Sequence, residues 1–154
     1  MADGPEILDS GKCREIGRNC PCYNLRRASR AVTRLYDNFL RPTGLRSTQC
    51  SVLVAAKLRG PVSLTKLAEL TVTERTTLTR NLTVLVKRGL VRIEPGRDRR
   101  ERQVSITEEG ERAMAEAIPL LEAAQALVES GIGRDHVDGL LKHLSAIISL
   151  SRKS

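Results

Sequence analysis

A chain of 154 residues fits one domain, or one small lobe with helical extensions, and leaves no room for a second catalytic domain. Apolar residues make up 40%, no run approaches the roughly 18 consecutive apolar residues of a membrane span, and Met1 to Asp9 lack the basic start and apolar stretch of a secretory signal; the expected compartment is the cytoplasm. A formal charge of +8 and a pI near 9.9 call for an acidic partner, either nucleic acid or an anionic membrane surface.

Residues 1–18 are polar and without a period, which predicts a mobile, irregular arm, bounded here at 1–20. From Pro21, Leu25, Ala28, Val32, Leu35 and Phe39 recur at the three- and four-residue steps of an amphipathic helix, with Arg26, Arg27, Arg30 and Arg34 on its exposed steps. That helix should end near Arg41, before Pro42 and Gly44. Ser47 is the expected N-cap of a second helix with Cys50, Leu53, Val54 and Leu58 inside, stopped by Gly60-Pro61. Ser63 then caps a short helix carrying Leu64, Leu67, Ala68 and Leu70, and the turn Thr71-Val72-Thr73 leads into a helix over 74–88, ended by Gly89. Two short helices joined by such a turn are a helix-turn-helix.

Leu90 to Ile93 and Arg102 to Ile106 alternate like short strands, and the turn between them, Pro95-Gly96-Arg97-Asp98-Arg99-Arg100, carries the charge of a wing. Thr107-Glu108-Glu109 opens a long helix with a capping hydroxyl and an acidic first turn, inside which Pro119 is a kink candidate. Ser130 to Gly133 breaks the chain before a last helix with Val137, Leu140, Leu141, Leu144, Ile147 and Ile148. The expected fold is mainly α with a small β-hairpin wing: a winged helix-turn-helix lobe over 45–107 and a helical dimerisation region over 21–44 and 108–150. The outer helices carry more apolar surface than a small winged core needs, so they are expected to pair with a second copy.

Charge placement chooses the partner. From Thr71 to Arg102 nine basic residues (Arg75, Arg80, Lys87, Arg88, Arg92, Arg97, Arg99, Arg100, Arg102) face four acidic ones (Glu74, Glu94, Asp98, Glu101). Only Tyr23, Tyr36 and Phe39 are aromatic, too few to stack unpaired bases, so duplex DNA is the expected polyanion and no membrane is. At about 100° per residue, Leu78, Leu82 and Leu85 share the inner face of the helix over 74–88, while Thr76, Arg80, Thr83 and Lys87 lie opposite with Thr79 beside them. Arg80 can take guanine bidentately, the threonines allow close approach to a groove floor, and Arg75 suits a phosphate. In the wing, Arg97, Arg99 and Arg100 are the expected DNA contacts, and Asp98 the residue that orients the hairpin through an ion pair.

These segments also resemble a known family. Leu45-Arg-Ser-Thr-Gln49, Leu67-Ala68-Glu69-Leu70, Thr76-Thr77-Leu78-Thr79-Arg80, Lys87-Arg88-Gly89-Leu90-Val91, Asp98-Arg99-Arg100 and Ser105-Ile106-Thr107-Glu108-Glu109-Gly110 occur in order and resemble the MarR family, the multiple antibiotic resistance regulators, over about residues 22–150. The resemblance implies a two-fold dimer built from the first and last two helices, a recognition helix in each major groove of a pseudo-palindromic operator, repression, and release by a ligand or by oxidation. A family-type ligand pocket would touch Tyr36, Phe39 and Cys50. A narrower resemblance is to the organic-hydroperoxide-sensing branch: Cys22 followed by Leu25, Ala28-Ser29-Arg30 and Tyr36, with Arg26 standing where that branch has another tyrosine.

The four cysteines, Cys13, Cys20, Cys22 and Cys50, suit a reduced compartment better than a disulfide framework. Cys20-Pro21-Cys22 opens a helix whose dipole favours a thiolate, making Cys22 and Cys20 the candidate redox residues. A soft-metal site from Cys13, Cys20, Cys22 and Cys50 is the competing reading, although Cys-x-Cys is not zinc-finger spacing, and the plain alternative is a buried Cys50 with exposed neighbours elsewhere. His136 and His143 share one face of the last helix and read as polar dimer-face residues. No phosphate loop, two-histidine metal motif or paired nucleophile and base occurs, so no enzyme, cofactor or metal is expected. A winged-helix adaptor for protein would want an apolar outer face where Thr76, Thr79, Arg80 and Thr83 stand.

Overall fold

A computed structural model describes residues 8–96, 98 and 101–151. The chain divides into two compact units, Met1–Leu35 and Tyr36–Ser154. In the first, the residues expected to be irregular form a helix, α1 (Ser10–Asn19). Asp9 caps it, accepting from the Gly11 and Lys12 amides at 2.7 and 3.3 Å. Apolar periodicity could not announce this helix, because none of its residues is buried. Cys20 ends it in extended backbone, the conformation that the following Pro21 imposes. Helix α2 (Pro21–Leu40) starts at once, and the Asn24 amide nitrogen ties the pair by donating to the Gly17 and Cys20 carbonyls at 3.1 and 3.0 Å.

The second unit begins with the last residues of α2 and a 3₁₀ turn, Arg41–Thr43, closed by Gly44 at φ 66°. Ser47, expected to cap the next helix, is instead the first residue of α3 (Ser47–Arg59). Its backbone amide and its hydroxyl both donate to Asp37 Oδ1, at 2.7 and 2.8 Å, so a carboxylate from α2 satisfies an orphan donor of α3. Gln49 reaches back to accept from the Arg46 amide at 3.0 Å. The inner face of α3 is Cys50, Val52, Leu53 and Ala56; Val54 and Leu58, read as internal, are exposed.

Strand β1 (Val62–Ser63) leads into α4 (Leu64–Thr71), capped by Ser63 as expected. Val72 turns the chain in the left-handed region, φ 48°, and α5 (Arg75–Lys87) follows. Strands β2 (Val91–Pro95) and β3 (Arg102–Ile106) make the hairpin, and the sheet order β1-β3-β2 is antiparallel throughout, pairing Val62 with Val104 and Ile93 with the same Val104. Pro95 is tolerated because β2 is an edge strand. Helix α6 (Glu108–Ile132) runs through Pro119 as one helix, and α7 (Arg134–Ser151) follows Gly133. Leu40, Leu53, Leu67, Leu78, Leu82, Leu85 and Val104 form the centre of the core.

The segment between α5 and β2 meets the start of α6 in a tight knot. Thr107 Oγ1 donates to the Gly89 carbonyl at 2.6 Å and accepts from the Gly110 amide at 3.0 Å, while the Thr107 amide donates to the Leu90 carbonyl at 3.1 Å. A side chain on Gly110 would meet the Leu90 carbonyl oxygen at 2.1 Å, so only glycine allows this approach. Gly110→Ala should therefore cost about 1–3 kcal/mol, as overpacked cores do, measured by urea unfolding. A variant as stable as the parent would contradict the packing at this knot.

Candidate nucleic-acid interface

Helix α5 separates its faces by burial. Leu78, Leu82 and Leu85 are buried, at 0%, 2% and 0% exposure, while Arg75, Thr76, Thr79, Arg80, Thr83 and Lys87 are all exposed. Glu74 stands before the helix in extended backbone and Arg88 closes it. The threonine hydroxyls are partly committed: Thr79 Oγ1 donates to the Arg75 carbonyl at 2.8 Å and Thr83 Oγ1 to the Thr79 carbonyl at 2.9 Å. Each thus presents a methyl group and an accepting oxygen outward, suited to a thymine methyl or to the amino groups of cytosine and adenine. Among the described residues, Arg75, Arg80 and Lys87 form no ion pair, so their charge is available to an outside anion.

Between α5 and the sheet lies an open cleft of about 550 Å³, lined by Thr79, Thr83, Lys87, Ile93 and Arg102 among others. Arg102, read in the sequence as a basic residue at the start of the second strand and not as an expected DNA contact, is placed by β3 on the same cleft as Lys87. Two other cations of that segment are exposed but have partners within the chain: Arg92 pairs with Glu94 at 3.1 Å, and Arg88 donates to main-chain carbonyls. Arg97, Arg99 and Arg100 lie outside the described residues. Asp98 is exposed, and its carbonyl accepts from the Glu101 amide at 2.9 Å while the Gly96 amide donates to the Glu101 carbonyl at 2.7 Å, which closes the hairpin turn.

A second cleft of about 670 Å³ is lined by Tyr36, Cys50, Ser51, Val54, Leu58, Arg59, Leu121 and Ile148 among others. Tyr36 and Cys50, two of the three residues named for a ligand pocket, line it; Phe39, three residues past Tyr36 on α2, does not and is half-buried. The cysteines are all free: Cys13 and Cys22 exposed, Cys20 half-buried, Cys50 buried. Cys22 and Cys20 belong to the first unit, Tyr36 and Cys50 to the second. Among the described residues no three His, Cys, Asp or Glu side chains gather where they could hold a metal ion. His136 and His143 are exposed, with His136 Nδ1 donating to the Ile132 carbonyl at 2.7 Å. No helix among the described residues is long and apolar enough to cross a membrane.

Burial first, and then the neighbouring Asp37 carboxylate, push the Cys50 thiol up to about 11 from its ordinary 9.0. The raised value means that the protonated thiol supports the fold fully below the ordinary thiol value, and that this support is lost as pH rises through about 11. At neutral pH, iodoacetamide should therefore modify Cys13 and Cys22 and spare Cys50, with Cys50 reacting only near pH 11 or in denaturant, as read by peptide mass spectrometry. Equal modification of Cys50 and Cys22 at neutral pH would contradict the burial.

The sequence pattern of the MarR family matches residues 43–101. The chain is 30% identical over 94 residues, 61% of its own length and 69% of the relative's, to the uncharacterized HTH-type transcriptional regulator YwoH of Bacillus subtilis (strain 168). Its structure is similar to that of the transcriptional regulator MosR of M. tuberculosis in complex with DNA, at 38% identity and a TM-score of 0.75, covering 87% of this chain and 99% of that one. It is also similar to CouR from Rhodococcus jostii RHA1 bound to p-coumaroyl-CoA, at 27% identity and a TM-score of 0.73, covering 84% of this chain and 92% of that one. On these likenesses and on the winged lobe itself, the chain belongs to the MarR family of winged helix-turn-helix transcriptional regulators and is not an enzyme.

Proposed function

We propose that this chain binds double-stranded DNA sequence-specifically, as a homodimer on a pseudo-palindromic operator, represses transcription in the cytoplasm, and is released by a small molecule or by thiol oxidation. The observation that carries the reading is the exposed face of α5, where Arg75, Arg80 and Lys87 stand without ion-pair partners among the described residues beside Thr76, Thr79 and Thr83. Arg102 joins them across the adjoining cleft, and Arg97, Arg99 and Arg100 complete the basic hairpin in the sequence. The DNA complex of the relative MosR supports the same use here.

Homodimerisation rests on apolar surface. Helices α6 and α7 expose Ile118, Leu127, Ile132, Leu140, Leu141, Ile147 and Ile148, more than an isolated helical pair leaves in water. Two inputs fit the chain. The cleft holding Tyr36, Cys50 and Arg59 is large enough for a small organic ligand, as the ligand-bound relative CouR supports. Cys22 is exposed in the first turn of α2 with Cys20 two residues away; a peroxide would pass one oxygen to the Cys22 thiolate, giving a sulfenic acid and leaving as hydroxide.

The test is fluorescence anisotropy on a duplex that the parent protein enriches from a random library. Arg80→Ala should bind it about tenfold more weakly, the usual order for one lost bidentate base contact. Arg112→Ala, which breaks only the exposed pairs with Glu108 and Glu109, should bind as the parent does. Equal binding by Arg80→Ala and the parent would remove α5 as the reading face. In the same assay hydrogen peroxide should release the parent and not Cys22→Ser, and equal release of both would remove the thiol input.

A further inference from the structure

The basic residue that closes the reading helix is spent on the protein. Arg88 Nη1 donates to the Gly44 carbonyl at 2.9 Å and Nη2 to the Thr43 carbonyl at 3.2 Å, across 44 and 45 residues of sequence. Gly44 adopts φ 66°, and this left-handed turn after α2 leaves two successive carbonyls within reach of one guanidinium. A planar guanidinium can fill both, whereas an ammonium on a flexible stem cannot hold the same fork. The next two residues are held from the other side: Gly89 and Leu90 are bonded by Thr107, and the Leu90 carbonyl lies against Gly110.

The two ends of α5 are therefore held differently. Its first turn has no side-chain cap and is anchored by the buried Leu78, a non-directional apolar contact. Its last turn is packed through the buried Leu85 and is followed, in addition, by directional hydrogen bonds to the exit of α2 and the entry of α6. From the anchoring Leu78 to Lys87 the helix is about 13 Å long, so a tilt of about 10° about Leu78 carries Lys87 roughly 2 Å, more than a hydrogen bond to a base edge allows.

We propose that Arg88 is a positioning residue for DNA reading: by tying the end of α5 to the Thr43–Gly44 turn it sets the pitch at which Arg80, Thr83 and Lys87 meet the duplex, and it does not itself bind phosphate. This rests on the DNA-binding reading above. It divides the basic segment by role, since a phosphate contact contributes counterion release and a positioning tie does not.

The experiment measures affinity of the full chain against salt concentration, on the enriched duplex and on a scrambled duplex of equal length. Arg88→Ala should weaken the enriched duplex about tenfold, leave the scrambled duplex at low salt unchanged, and keep the parent's slope of log affinity against log salt. A slope reduced by about 0.9 would mark a lost phosphate contact and overturn the proposal. So would an unchanged affinity for the enriched duplex. Thermal melting checks the fold; if Arg88→Ala is not folded, Arg88→Lys decides, with a smaller loss and the same slope expected, and parent-like binding overturning the proposal. A parent that retains neither duplex overturns the DNA-binding reading and this inference with it, whereas a parent that binds beside an equally tight Arg88→Ala overturns the inference alone.

Discussion

Three leucines on one face of α5 set the direction of everything that helix presents outward. Leu78, Leu82 and Leu85 are buried in one cluster with Leu53, Leu67 and Val104. Burying each such side chain contributes roughly 1.5–3 kcal/mol, so turning the helix about its axis would forfeit several kcal/mol. Positions half a turn away have no choice but to face solvent. Thr76, Arg80, Thr83 and Lys87 are those positions, and the chemistry of the surface follows from the packing beneath it.

Apolar packing fixes rotation about the helix axis, and hydrogen bonds at the element ends add direction to it. Asp37 binds the start of α3, Thr107 bonds Gly89 while capping α6, and Arg88 holds the turn after α2. Each joins elements that only the fold brings together, and each bonds a backbone group at a helix end or a turn. Among the described residues no buried side-chain nitrogen or oxygen is left without a hydrogen bond, so these ties are gained without orphaned polar atoms.

Much of this was legible in the chain. The leucine phase of α5, the Ser63 and Thr107 caps, the two long strands and the glycine stops at Gly60 and Gly133 are local signals, and the structure follows them. Helix α1 escaped because a helix with no buried residue carries no apolar stripe, leaving only Asp9 to mark it. Strand β1 is two residues long and cannot show alternation. Leu58 and Val54 carry the pattern of an inner face yet are exposed beside a cleft, since periodicity tells which residues share a face and not what covers it. Arg88 read as one more cation of a basic run, because its partners are main-chain carbonyls far away in sequence, and no pattern of residue types records them.

The chain is a MarR-family protein, and the proposal that its lobes read DNA in pairs rests on the exposed apolar residues of α6 and α7 and the outward polar face of α5. Dimethyl sulfate methylation interference on the enriched duplex tests that claim most directly, because guanine N7 lies in the major groove. The account predicts interference in two clusters about one helical turn apart, related by the symmetry of the site. Interference confined to adenine N3 in the minor groove, or to a single cluster, would contradict it.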